Sequence, residues 1–268
     1  MAFDYLHPSN RNAIIVSGFF VFIGAFFYVI FPPLQTAAGI YTLLALVSLV
    51  IYSLSEFQGT VVGINLEKFG FQFLAGLGIA TLFILLKIFI PGFSIGIPFA
   101  PESVSTTVKA IIILGLAPFV EELFTRGALL GFINYVESSG RELTAGEFWV
   151  ANSVQSLFFA GLHLLAYVLL WYSLPGGALA TSIGAQSSAF IAALTFGLIA
   201  GWVDTRKGIK SLLPSIISHF VVNTLVFVSL TVVGLSIFPA ISLALAANVI
   251  LLFVQKKKYS IDLLKPTL

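Results

Sequence analysis

Apolar residues in this chain run in long blocks, and polar residues gather at the breaks between them. Eight runs stand out, at 11–31, 36–55, 69–91, 104–136, 148–171, 178–203, 211–230 and 234–255. Most are close to the ~20 residues an α-helix needs to cross about 30 Å of hydrocarbon, so each predicts a membrane-spanning helix. In lipid every backbone N–H and C=O must be satisfied within the chain, which a helical bundle achieves. The expected fold is all-α: a polytopic integral membrane protein, a single transmembrane domain over 1–268, with eight helices for the eight runs. The run at 104–136 is too long for one untilted span, and a bend at Pro118 is expected.

Composition strengthens that reading. Of the 268 residues 59% are hydrophobic and 9% charged, with a mean hydropathy of +1.06, whereas soluble domains carry about a quarter charged residues. A cleaved signal peptide is not expected, because the run at 11–31 flows straight into the next. The breaks are too short to hold a separate ligand-binding module, and no soluble domain is expected at either end. Cysteine is absent, which excludes disulfides, zinc–thiolate sites and a cysteine nucleophile. A net charge of +2, with no basic stripe, does not speak for nucleic acid.

The basic residues choose one side. Arg11, Lys68, Arg141, the group Arg206, Lys207 and Lys210, and the tail Lys256, Lys257 and Lys258 all fall on the same face of an eight-span layout. The opposite breaks, near 32–35, 92–103, 172–177 and 231–233, hold no lysine or arginine. By the positive-inside rule both termini are cytoplasmic. Lys87 and Lys109 stand near the outer ends of their runs, where they can snorkel outward or line a cavity.

Ionisable groups are costly in hydrocarbon and mark function when a chain keeps them there. The first cluster is Glu121-Glu122-Leu-Phe-Thr-Arg126. Glu122 and Arg126, four apart on a helix, share a face and can pair. Glu121 points about 100° away, without that partner, and is a candidate general base. Gly127 and Gly131 add a small-xxx-small spacing that would admit a close neighbouring helix.

Phe159 and His163, one turn apart, form the second cluster: the imidazole can take a proton from water or donate to an oxyanion, and the ring can wall and fix it. The third is His219 with Asn223, again four apart, two neutral donors able to point at one place as an oxyanion hole requires. Base, imidazole and oxyanion donors around one water are the parts for amide hydrolysis. Glutamate with two histidines is also a plausible metal ligand set, although a helical histidine pair with a glutamate between is missing. Ser153, Ser156 and Ser218 lack any motif linking them to a histidine and an acid. A non-enzymatic scaffold or immunity protein is the alternative from another class. A transporter fits less well, since the polar motifs do not recur between the two halves.

Glu121-Glu122-x-x-x-Arg126, Phe159-x-x-x-His163 and His219-x-x-x-Asn223, with Gly197 and Gly201 upstream of the third, resemble the signature of the CPBP family, the type II CAAX prenyl proteases and their relatives (the Rce1/Abi family). The likeness covers about 104–226. It implies a metal-independent, cofactor-free glutamate endopeptidase in which Glu121 and His163 activate water, His219 and Asn223 stabilise the oxyanion, and Glu122, Arg126 and Phe159 support them. It further implies a prenylated or membrane-associated protein substrate that loses its terminal tripeptide, entering through a cavity open to cytosol and lipid. Basic loop residues at 206–210 would attract its terminal carboxylate or anionic headgroups.

Overall fold

The computed structural model describes residues 6–31, 35–89, 111–138, 143–173, 179–207, 209–231 and 262–266. Seven helices form where the first seven apolar runs lie: α1 Pro8–Ile30, α2 Gln35–Ser53, α3 Phe69–Phe89, α4 over 111–138, α5 Ala145–Ser173, α6 Leu179–Asp204 and α7 Leu213–Thr231. The eighth run, Lys109 and most of the lysine-free breaks lie outside the described residues, as does the Lys87 side chain.

Helix α1 shows how the pattern becomes structure. His7 opens it by accepting from the Ser9 amide at 3.4 Å, and Pro8 follows where a missing N–H costs nothing. Ala13, Ser17, Phe20, Gly24 and Phe27 recur at intervals of three and four and are buried, while Ile15, Phe19, Phe22, Phe26 and Val29 are exposed on the other face. Both faces are apolar. A large exposed apolar face suits lipid and is out of place in water. Among the described residues two helices qualify as membrane spans by length and apolar composition, Pro8–Ile30 and Phe69–Leu86, and 37–53, 189–204 and 213–225 are shorter apolar helices.

The bundle is assembled from helix pairs, α1 with α2, α5 with α6 and α3 with α7, and α4 threads between them, touching α2, α5, α6 and α7. One apolar core joins α1, α2, the segment 61–64 and the start of α7 to α4; the other joins α3, α5, α6 and α7. Helix α4 carries Glu121, Glu122 and Arg126 along the seam between the two. It is irregular in a regular way: wide π-type turns over Ile111–Leu116 and Leu123–Leu129 flank an α-helical segment, Ala117–Glu122. Pro118, where a bend was expected, stands where the first wide stretch returns to α-helix, and it has no N–H to give. Such wide turns occur often at functional sites.

The segment 54–66 laces one end of the molecule. Tyr52 donates its hydroxyl to the Val62 carbonyl, Asn10 donates to Gln58, and Ile64 N–H donates to Ser9 C=O. Leu212 N–H donates to Gly63 C=O, so the connection before α7 joins the same network. A side chain at position 63 would meet the Ser9 carbonyl, which explains glycine there. A two-stranded antiparallel ribbon, Arg206–Lys207 with Asp262–Pro266, is the departure from an all-α fold among the described residues. Nothing in the apolar pattern announced it.

Candidate functional site

Each of the three sequence clusters reaches one region of the interior. Glu121 Oε2 stands 4.0 Å from His163 Nε2 and 3.9 Å from His219 Nε2. Glu121 keeps 14% of its side-chain exposure and His163 21%, whereas Glu122 and Arg126 have none. The Glu121 oxygen that faces the histidines, Oε2, is itself buried, so the exposed part of that side chain lies elsewhere.

Glu122 is tied on two sides through one oxygen: its Oε1 lies 2.7 Å from His219 Nδ1 and 3.3 Å from Arg126 Nη1. Arg126 also donates to Thr125 Oγ1 at 2.6 Å. Its guanidinium lies 3.9 Å over the Phe159 ring and 5.2 Å from that of Phe196. The desolvated cation lies over two aromatic faces with a carboxylate at one edge, and its hydrogen bonds run through Nη1, while Nε and Nη2 are buried without a partner among the described residues.

Phe159 does more than wall the site. Its carbonyl lies 2.9 Å from His163 Nδ1 and its ring packs edge-on at 4.4 Å. A carbonyl can only accept, so Nδ1 of His163 carries the proton. The same argument applies to His219, whose Nδ1 faces a carboxylate. In their neutral forms both imidazoles thus turn a bare Nε2 lone pair toward Glu121 Oε2. Three acceptors around one point need donors between them, and a water molecule or an imidazolium supplies them. This corrects one expectation: His219 offers Nε2–H to an oxyanion only as the imidazolium, with Glu122 as its counter-ion, and not as a neutral donor. Asn223 follows one turn later on α7 and is half-buried.

The same three atoms are the donors a metal would use. Ligands at ~2.0–2.2 Å in a tetrahedral site stand about 3.4 Å apart. The observed separations of 3.9 and 4.0 Å are wider. Among the described residues no group of three or more metal-ligating side chains is set to hold an ion. Two of the serines have their hydroxyls engaged by their own helices: Ser156 donates to Asn152 C=O at 2.6 Å and Ser218 to Ser215 C=O at 2.8 Å.

Gly127 and Gly131 are packing positions. A Cβ on Gly127 would run into the Tyr52 hydroxyl, and one on Gly131 into the Val61 backbone. Their neighbours are α2 and the segment after it. Gly197 and Gly201 likewise receive Ser156 and Asn152 of α5, and Asn152 donates to Leu198 C=O at 2.9 Å.

Three residues near the site carried no signal in the motifs. Tyr41 of α2 donates its hydroxyl to Glu121 Oε1 at 2.8 Å. Phe196, one residue before Gly197, packs 5.4 Å from the His219 ring. Asp204 Oδ1 accepts from the Ser215 amide at 3.2 Å and so caps the start of α7, the helix that carries His219. Arg206 was expected among the basic loop residues facing a substrate, but it is 2% exposed, donates Nε to Trp202 C=O at 2.7 Å and lies over the Phe148 and Trp202 rings.

Fold and site together define a bundle of apolar helices with a buried carboxylate–imidazole cluster. Residues 103–225 match the family model described as type II CAAX prenyl endopeptidase Rce1-like, a protease family, and all three motifs lie within the match. No curated protein and no solved structure matches the chain.

Proposed function

We propose that the protein is a multi-pass intramembrane endopeptidase of the CAAX-protease type, with both termini cytoplasmic. It hydrolyses a peptide bond near the C-terminus of a prenylated, membrane-associated protein and releases the terminal tripeptide. The observation that carries this reading is one carboxylate oxygen, Glu121 Oε2, facing the Nε2 atoms of both His163 and His219. The exposed apolar faces of α1, α2 and α5 and the match at 103–225 support it.

In this mechanism a water held between Glu121 and His163 gives up a proton to the carboxylate as its oxygen attacks the scissile carbonyl carbon. The carbonyl electron pair moves onto oxygen, where the imidazolium of His219 and the Asn223 amide meet it. Collapse breaks the C–N bond, and the proton held by Glu121 passes to the leaving amine. Glu122 and Arg126 touch no reactant; they hold His219.

The test is cleavage of a farnesylated, internally quenched CAAX peptide by the detergent-purified protein, with and without a chelator, beside Glu121→Gln. Chelator-resistant cleavage that falls by roughly 10²–10⁴-fold in the variant is expected for a lost general base. Loss of cleavage on chelation would assign the cluster to a metal. Folded protein without cleavage of this peptide would overturn the substrate.

A further inference from the structure

We infer that Tyr41 is a positioning residue for Glu121, so that α2, which lies outside the matched region, forms part of the site; the catalytic side of this inference rests on the proposed role of Glu121. The Tyr41 side chain is 9% exposed and its hydroxyl is 2.8 Å from Glu121 Oε1. That contact occupies one carboxylate oxygen and leaves the other facing the imidazoles. Without it, the carboxylate is free to rotate about its terminal torsion, which is broad and roughly two-fold in glutamate.

The sequence of α2 explains why the tyrosine arrives there. Ala38, Tyr41, Ala45, Ser48 and Tyr52 recur at intervals of three and four and are buried, forming one stripe. Tyr52 and Tyr41 are eleven residues apart, three turns on an α-helix, and so share that face. Tyr52 seats on Gly127, where no side chain fits, and its hydroxyl is anchored to Val62 C=O. Small residues between the two tyrosines bring α2 close to α4. The seat at Gly127 sets the height and rotation of α2, and Tyr41 then reaches Glu121. The other charged or titratable groups around Glu121 are His163 on α5, His219 on α7, and Glu122 and Arg126 on its own helix. The contacts of His163 and His219 with this carboxylate are at Oε2.

Two measurements test this. On the farnesylated peptide, Tyr41→Phe is expected to lower kcat roughly ten- to hundredfold with little change in KM, since a misaimed base weakens the chemical step and not binding. In thermal unfolding, Tyr41→Phe is expected to lower Tm by a few degrees in the native background. In a Glu121→Met background, where the hydroxyl has lost its acceptor, it should leave Tm unchanged or raise it. Full kcat in Tyr41→Phe, or an equal fall in Tm in both backgrounds, would overturn the inference. Wild-type protein that cleaves no such peptide would sink the proposed substrate, and the two-background comparison would still decide whether Tyr41 holds Glu121.

Discussion

His219 Nδ1 and Glu122 Oε1 are 2.7 Å apart, and Arg126 approaches the same oxygen at 3.3 Å. The second glutamate of the pair is thus a fastener between α4 and α7, while the first faces the Nε2 atoms of His163 and His219. Glu122 and Arg126 are both fully buried, so removing either strands the other's charge. Glu122→Leu is expected to cost about 3–5 kcal/mol, as broken buried pairs do. The double variant Glu122→Leu, Arg126→Met should recover much of that loss. Thermal unfolding of the two proteins checks it: a double variant no more stable than the single one would show that the pair is not the cause.

Glycines on the motif helix make a second contrast. A methyl group on Gly131 meets the backbone of Val61, which cannot swing aside, whereas one on Gly161 of α5 meets nothing within 4 Å. Gly131→Ala should cost about 1–3 kcal/mol by overpacking. Gly161→Ala should be neutral or stabilise by roughly 0.5–1 kcal/mol through helix preference. Equal effects of the two on the unfolding midpoint would remove the argument that the 127–131 spacing seats α2 and its following segment.

What was legible in the sequence was whatever depends on local period. Seven of the apolar runs returned as helices over the described residues, because an uninterrupted apolar stretch has no better way to satisfy its backbone. Spacing of four put Glu122 beside Arg126 and Phe159 beside His163 without any knowledge of the fold. Tyr41 was not legible. Nothing near it resembles a motif, and its contact with Glu121 spans eighty positions of the chain. The engagement of Arg206 by Trp202 and Phe148 was hidden for the same reason: a basic residue in a loop reads as solvated until its aromatic neighbours are placed. The tautomer of His219 needed the third dimension too, since only the arrival of Glu122 fixes which ring nitrogen holds the proton.

Lys210 supplies a pH dependence outside the helices. It donates Nζ to Gly59 C=O at 3.1 Å, and burial holds its pKa below the usual 10.5. Between the lowered folded value and 10.5 the unfolded chain binds more protons at this site than the folded one, so stability rises with pH through that window. Below the window the folded state carries the cost of a partly buried charge. Lys210→Met should lose this alkaline gain. The difference in unfolding midpoint between native protein and variant, followed as pH rises toward 10.5, should therefore shift in favour of the native protein. A flat difference would mean that Lys210 is solvated.

The two nitrogens of His219 can be separated by substitution. Asparagine places an amide N–H near the position of Nδ1 and nothing near Nε2, whereas glutamine reaches the Nε2 position and leaves Nδ1 empty. If Nδ1 serves Glu122 and Nε2 serves the oxyanion, His219→Asn should keep the tie between α4 and α7 and hold its unfolding midpoint near that of the native protein. It should nevertheless lose kcat by roughly 10²–10³-fold, the usual effect of removing one oxyanion donor. His219→Gln should behave in the opposite sense on stability, because Glu122 and Arg126 then face each other without the third member. Unfolding curves read beside peptide cleavage tell the two apart. An asparagine variant as unstable as the glutamine one would mean that the 2.7 Å contact does not fasten the helices. An asparagine variant with native kcat would remove His219 Nε2 from the chemistry and leave the oxyanion to Asn223.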